Sequence, residues 1–408
     1  MENKIPNGWT ACPLKDVVSS RKGKKPNAVI DHAKKGYDPY ILIDELEGNS
    51  PRTYTNDSKI PRATEKDVLL VWDGSIGKCA SGLSGAVGST IVVLSPKNGL
   101  NTKYLEYFIK RSKNYITETS TGSGLQHVNK SLLKTLEIPW PPDGGQKRIV
   151  DKLDVLLTKV KDAQSRLDKI PTILGRFRQS ILASAFSGKL TKEWRKKNKI
   201  DTEWQDSELG GVLADLKYGT AKKCFREKMK HTVLRIPNVV RGYIDSNDLK
   251  YADLDKKEYE SLKLEIEDIL LIRSNGSVSL VGRTALVTDK EKGMAYAGYL
   301  IRLRVNKDLI IPEFLQYQFQ SYAMRLQIEL PARSTSGVNN INSEEVRNLQ
   351  IALPSLDEQR EVVRRLKATF AFLEKNEQEF NKAKSYADKL EQSILAKAFR
   401  GELVSQDG

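Results

Sequence analysis

WPPD at 140–143 is the nearest approach in this chain to a motif that grips an exocyclic amine for methyl transfer. That chemistry needs Asn or Asp, then two prolines, then an aromatic residue, and WPPD has the wrong flanks. GSIGK (74–78) lacks the upstream glycine of a phosphate-binding loop, and GSVSLVGR (276–283) has one residue too many and Arg in place of Lys. His32, His127 and His231 are scattered, and Cys12, Cys79 and Cys224 are isolated, so no zinc spacing exists. The carboxylates of IDELE (43–47) read as a solvated loop rather than a metal site. No catalytic residue, no metal site and no cofactor are expected on this chain.

The remaining chemistry is that of holding and reading another molecule. The 408 residues carry a net charge of +15, which favours polyanions, and nucleic acid is the commonest of these in the cytosol. The excess sits early: +6 over residues 1–142, +9 over 143–200, and zero over both 201–356 and 357–408. No run of eighteen apolar residues is present to span a membrane, and the first residues lack a secretory pattern. An odd number of distant cysteines suits a reducing compartment, so a cytoplasmic protein is expected.

Base edges are read by Arg, Asn, Gln, Ser and Thr, while Lys favours phosphates. Two loops that follow apolar strands supply the first candidates: Trp72, Asp73, Ser75 and Lys78 in one, Arg273, Asn275 and Ser277 in the other. Two polar runs supply the second: Thr121, Ser123, Gln126 and His127, with Thr335, Ser336, Asn339 and Asn340 opposite. Lys22, Lys24 and Lys25, matched loosely by Lys222 and Lys223, suit phosphates, although a solvated charge run reads the same way. Asp-Gly and Asn-Gly are also ordinary turn chemistry. KEWRKKNK (192–199) is a DNA or partner contact, or an exposed tether.

The elements that must position these residues occur twice. QSILASAFSGKL (179–190) returns as QSILAKAFRGEL (392–403), nine of twelve positions identical at an offset of 213. The offset holds upstream through Gln146 and Gln359, Pro141 and Pro354, and Asn129 and Asn342. Further upstream it slips, and DVLLVWDGSIG (67–77) pairs with DILLIRSNGSV (268–278). Short β-prone runs such as YILI (40–43), STIVVLS (89–95) and YLIRLRV (299–305) lie between turn-rich loops. Helices are expected at 102–112 and 312–327.

The conserved part of each copy reads as a long helix with a heptad seam. The first seam runs through Ile149, Leu153, Leu156, Val160, Leu167, Leu174, Phe177 and Ile181; the second through Val362, Leu366, Leu373, Phe380, Leu390 and Ile394. Gly188 and Gly401 should end these helices, and Pro171 should kink or break the first. Thr369 and Asn376 weaken the second seam but could fix its register. Chain order makes the helices antiparallel, with the C-terminal AFRGEL returned beside the first domain. A seam of this length spans about 50 Å, so two heads could meet one face of duplex DNA at two sites.

At this point the chain resembles the specificity subunits of type I restriction–modification systems. The resemblance is carried by LPSLDEQREVV (353–363) with its Pro-x-x-x-Glu-Gln, its first copy PWPPDGGQKRIV (139–150), RFRQSILASAFSGKLT (176–191), QSILAKAFRGEL, and the polar runs STGSGLQHVN (120–129) and RSTSGVNNIN (333–342). The first copy departs at Gly144-Gly145, where the second has Asp357-Glu358. The resemblance implies an α+β chain with an internal pseudo-two-fold repeat: two mixed α/β target-recognition domains joined by two long antiparallel coiled-coil helices. The expected segments are 1–142 and 201–356 for the recognition domains, with 143–200 and 357–408 for the helical spacers. It also implies double-stranded DNA as ligand, no catalysis on this chain, and two modification subunits carrying adenine methylation with S-adenosylmethionine. Two restriction subunits using ATP and Mg can be added to such complexes. The rival readings are a stand-alone regulator that reads an operator with two heads, a coiled-coil scaffold for proteins, and an undetected nuclease or methyltransferase.

Overall fold

The computed structural model describes residues 5–120, 127–129, 131, 136–201, 203–332 and 338–404. The chain forms two compact units, Met1–Asp168 with Phe380–Gly408, and Lys169–Glu379. Each unit is a head plus one part of each long helix. No helix among the described residues is long and apolar enough to cross a membrane.

In the first unit, strands Val18–Lys22, Ile91–Pro96, Val68–Val71 and Cys79–Ser81 form an antiparallel sheet in that order. Val68–Val71 is apolar at every position because both of its faces are covered. The two-residue strand period sends Val68 and Leu70 towards a core shared with Tyr104, Leu105 and Phe108 of the helix Thr102–Arg111. Leu69 and Val71 face the opposite way, into a cluster with Ile41 and Val87. Those two residues belong to a smaller sheet whose strands Asp38–Ile41 and Gly85–Val87 run parallel.

The second unit repeats this plan. Leu213–Tyr218, Leu300–Val305, Ile269–Ile272 and Thr284–Leu286 form the antiparallel sheet. Ile269 and Leu271 enter one core with Phe314 and Leu315, while Leu270 and Ile272 enter another with Val233 and Tyr296. A parallel pair, His231–Leu234 with Ala295–Tyr296, again builds the smaller sheet. Each head is closed at its base by the strand that enters it and the strand that leaves it, Thr10–Pro13 with Glu137–Trp140 and Gln205–Glu208 with Gln350–Leu353.

Two glycines mark the same close approach in both heads. A Cβ on Gly23 would lie 2.2 Å from the Gly88 carbonyl oxygen, and one on Gly219 would lie 2.3 Å from the Ala297 and Tyr296 oxygens. These backbone atoms cannot retreat cheaply, so only glycine fits. The approach pairs residues 22 and 218, 88 and 297, and therefore 90 and 299.

The long helices follow their sequence signals at the ends. The first is broken into Gly145–Leu167 and Ile170–Phe186, with Pro171 in the first turn of the second piece, where its missing N–H costs nothing. The second is continuous from Leu356 to Phe399. Gly188 and Gly401, at φ 71° and 72°, follow the two C-termini. The expected helix at 312–327 is instead two, Pro312–Phe319 and Tyr322–Ala332. IDELE is not a solvated loop: Ile43–Leu46 is a short helix whose buried Glu45 accepts the Leu42 N–H at 2.8 Å.

Within each unit the helical pieces are antiparallel. In the first, Gln164 donates to Asp388 at 2.9 Å, Lys384 pairs with Asp168 at 2.6 Å, and Leu395 and Phe399 join Ile149 and Leu153 in the head core. Phe399 lies 4.9 Å from the Tyr104 ring and 5.5 Å from that of Phe108, so the AFRGEL segment returns to the first head as expected. In the second, Leu182 and Ala185 share a core with Val362, Leu366, Phe370 and Leu373, and the Arg178 guanidinium sits 4.5 Å from the Phe370 ring centroid.

The seam differs from its expected course. Ile149, Leu153, Val160, Val362, Leu366 and Leu373 are buried, while Leu156, Leu167, Leu174, Ile181, Phe380 and Ile394 are half-buried. Phe177 and Leu390 are exposed and do not belong to it. Near the far ends the buried residues are Leu182, Ala185, Leu395 and Ala398, one position past the projected seam. A straight helix drifts about 20° per heptad from a 3.5-residue seam, and the cores capture whichever face then points at them. Thr369 and Asn376 do not fix register: each donates to the carbonyl four residues earlier, Arg365 at 2.9 Å and Phe372 at 2.7 Å.

Candidate nucleic-acid interface

The strand-end loop and the polar run, separate in sequence, meet in both heads. In the first head the Val128 N–H donates to the Trp72 carbonyl at 3.0 Å, and Asp73 forms a β-bridge with His127. In the second the Ile341 N–H donates to the Arg273 carbonyl at 2.8 Å, and Ser274-Asn275 pairs with Asn339-Asn340. Residues 72, 73 and 127 therefore occupy the places of 273, 274 and 340, with 22 and 218 supplied by the edge strand of each sheet.

The backbone is shared and the side chains are not. In the first head Asp73 is the hub, 2.8 Å from Lys22 Nζ and 2.6 Å from His127 Nδ1. Burial opposes ionisation of Asp73, but the hydrogen bonds from His127 and Lys22 outweigh it and hold the carboxyl below its ordinary range. Trp72 is buried, Ser75 is exposed, and Lys78 forms an ion pair with Glu47. In the second head Arg273 lies with its guanidinium 4.5 Å from the Tyr218 ring centroid, and its Nε donates to Asn340 Oδ1 at 3.3 Å. Asn339 donates to the Gly276 carbonyl at 2.9 Å.

Several candidates are engaged within the fold. Lys22 is tied to Asp73, and Lys222 is 3.0 Å from Glu258. Asn275 accepts the Ser277 N–H at 2.9 Å, which is turn chemistry. Lys24, Lys25 and Lys223 are exposed. Thr121, Ser123, Gln126, Thr335 and Ser336 lie outside the described residues. KEWRKKNK is not a free tether: Lys192–Lys197 is a helix, and Arg195 reaches the buried Glu358 at 3.5 Å.

The conserved glutamine of each copy fastens helix to head. Gln359 is fully buried; its Oε1 accepts the Ile311 N–H at 2.8 Å, and its Nε2 donates to Leu309 at 3.0 Å and Pro354 at 2.9 Å. Gln146 performs one of these tasks, accepting the Asn101 N–H at 2.8 Å. Beside it the copies diverge together. Glu358 accepts from Thr191 at 2.5 Å, whereas the corresponding positions in the first unit are Gly145 and Val404, both against apolar neighbours. A Cβ on Gly145 would lie 2.7 Å from Pro141 Cβ.

Two heads on one scaffold with exchanged side chains present two different surfaces. Residues 6–171 and 201–384 each match the type I restriction modification DNA specificity domain. The chain belongs to that family. It is 30% identical to the type I restriction enzyme EcoKI specificity subunit of Escherichia coli (strain K12), over 99% of this chain and 91% of the relative. It is equally 30% identical to the StySPI specificity subunit of Salmonella potsdam, with the same coverage of both chains. A chain from a structure concerned with complex assembly and conformational transition of the type I R-M system superposes with a TM-score of 0.76 at 20% identity, covering 98% of this chain and 99% of its own. The HsdS subunit from Thermoanaerobacter tengcongensis superposes at 0.55 and 19% identity, with 98% of each chain covered.

This type I specificity subunit thus supplies DNA sequence specificity, as a non-catalytic subunit of a restriction–modification complex, and its two specificity domains fit a two-part target. Sequence reasoning missed Tyr218, the platform under Arg273. Its signal was the glycine that follows it, since Tyr218-Gly219 stands where Lys22-Gly23 stands in the first head.

Proposed function

We propose that each head of this specificity subunit reads one half of a bipartite DNA target while its helices dock two identical adenine-methyltransferase subunits. Methyl transfer from S-adenosylmethionine then occurs on those partners, in the cytoplasm, after the target adenine is turned out of the stack. Restriction subunits using ATP and Mg join through the assembled complex.

One observation carries the docking. Ile173 and Phe177 are 59% and 44% exposed, and Tyr386 and Leu390, at the same 213-residue offset, are 69% and 51% exposed. Each pair lies one turn apart on one helix face. An exposed apolar pair at matched positions of both copies suits one partner bound twice. Arg176 and Lys389 rim the pairs, so the partner surface is apolar with an acidic edge.

The test is native mass spectrometry of the complex co-expressed with its modification subunit. Ile173→Asp with Phe177→Asp should remove one modification subunit, Tyr386→Asp with Leu390→Asp one, and the four together both. Two modification subunits retained on the quadruple variant would contradict the docking.

A further inference from the structure

The second head carries no net charge, yet one part of its surface concentrates cations. A cleft of about 600 Å³ is lined by Lys222, Lys223, Arg235, Lys250 and Tyr299, among others. Lys222 is neutralised by Glu258 at 3.0 Å and Arg235 by Asp248 at 2.8 Å. Asp255 also stands 4.0 Å from Lys222, and Asp248 feels the Lys250 charge, but Lys223 and Lys250 form no ion pair among the described residues and no carboxylate lines the cleft itself. Arg235 Nε is buried there without a hydrogen-bond partner among the described residues.

The cleft adjoins the reading ribbon. Tyr299, an exposed lining residue, accepts the Arg273 N–H at 3.0 Å through its carbonyl. The first head has Thr90 at the place of Tyr299 and Leu42 at that of Arg235. Leu42 and Arg235 are equated by their matching N–H bonds, to Glu45 and Asn238 at 2.8 Å each. The cation cleft is therefore particular to the second head.

We propose that this cleft is a clamp for one DNA-backbone phosphate of the second half-site, held by Lys223 and Lys250, with the sugar against Tyr299. This rests on the reading that the second head binds duplex DNA. A phosphate held beside the strand end that carries Arg273 would fasten the duplex to this head without itself reading sequence. It also explains how a head of zero net charge holds a polyanion: the charge is local.

The experiment is a salt titration of DNA binding by the full chain in its complex, with a target duplex and an unrelated duplex. The variants are Lys223→Gln with Lys250→Gln, and Lys223→Glu, Lys223 being exposed and Lys250 half-buried at the start of an edge strand. Loss of one phosphate contact should lower the slope of log K against log salt by about 0.9 on both duplexes, leaving their affinity ratio unchanged. An unchanged slope, or a collapse of the ratio with the slope intact, overturns the clamp. If the cleft serves free phosphate instead, inorganic phosphate will raise the thermal midpoint of the wild type alone while the slopes agree, and this also overturns it. A wild type that does not distinguish the duplexes would sink the DNA reading itself, a separate failure.

Discussion

Gln359→Leu and Gln146→Leu remove the same conserved side chain from the two copies, and the structure assigns them unequal costs. Gln359 satisfies three backbone groups, the Ile311 N–H and the Leu309 and Pro354 carbonyls, at a fully buried position. Gln146 satisfies one, the Asn101 N–H, at a half-buried position where water can replace it. At about 1 kcal/mol per hydrogen bond, Gln359→Leu should destabilise the second unit by about 3 kcal/mol, and Gln146→Leu should cost the first about 1. Leucine keeps much of the volume, so a cavity contributes little. Hydrogen exchange read by peptide mass spectrometry separates the units. The peptide containing Ile311 should lose protection far more in the first variant than the peptide containing Asn101 does in the second. Equal losses, or a cost below about 1 kcal/mol for Gln359→Leu, would refute the claim that this glutamine is the staple between helix and head.

Gly219→Ala should lower the thermal midpoint sharply, at a cost on the order of 3 kcal/mol, because its Cβ meets two carbonyl oxygens at 2.3 Å; Gly23→Ala should do the same to the first head. The hydrogen bond from Arg364 leads; burial opposes it, and the further hydrogen bond from Arg365 with the charges of both guanidinium groups completes a net pull of the Glu361 carboxyl down to about 2. A folded-state value below the unfolded one means that its stabilisation is complete above the ordinary carboxylate range and is lost as pH falls towards 2. Glu361→Gln should therefore flatten the acid limb of a stability–pH curve between about pH 4.5 and 2. Arg273→Ala should relax base preference in one half of the target only, by about 1–3 kcal/mol per position read, seen in the methylation motif.

The duplication, the glycine stops, the break at Pro171 and the apolar strands were legible in the sequence because each depends on local periodicity or on one residue with a fixed conformational preference. The candidate site was legible in part. Its loops and polar runs could be named, but their meeting is a tertiary event: His127 reaches Asp73 across 54 residues, and Arg273 reaches Asn340 across 67. The engagement of Lys22 and Lys222 by carboxylates was hidden for the same reason. The seam was misplaced at Phe177 and Leu390 because apolar spacing reveals that a helix has an apolar face, not what will cover it. Gly144-Gly145 stood out as a departure from the family pattern, but its meaning did not. Gly145 is required by its contact with Pro141, and the loss of the glutamate is matched by Val404 in place of Thr191.

The choice of the DNA sites that the complex modifies is assigned here to this chain alone. It is tested most directly by sequencing the methylome of cells expressing the candidate modification subunit with and without this chain. The expected result is a two-part motif with an unread spacer, methyladenine in both halves, and no such motif when the chain is absent. Methylation that persists without the chain, or a folded complex that leaves no two-part motif, would contradict it.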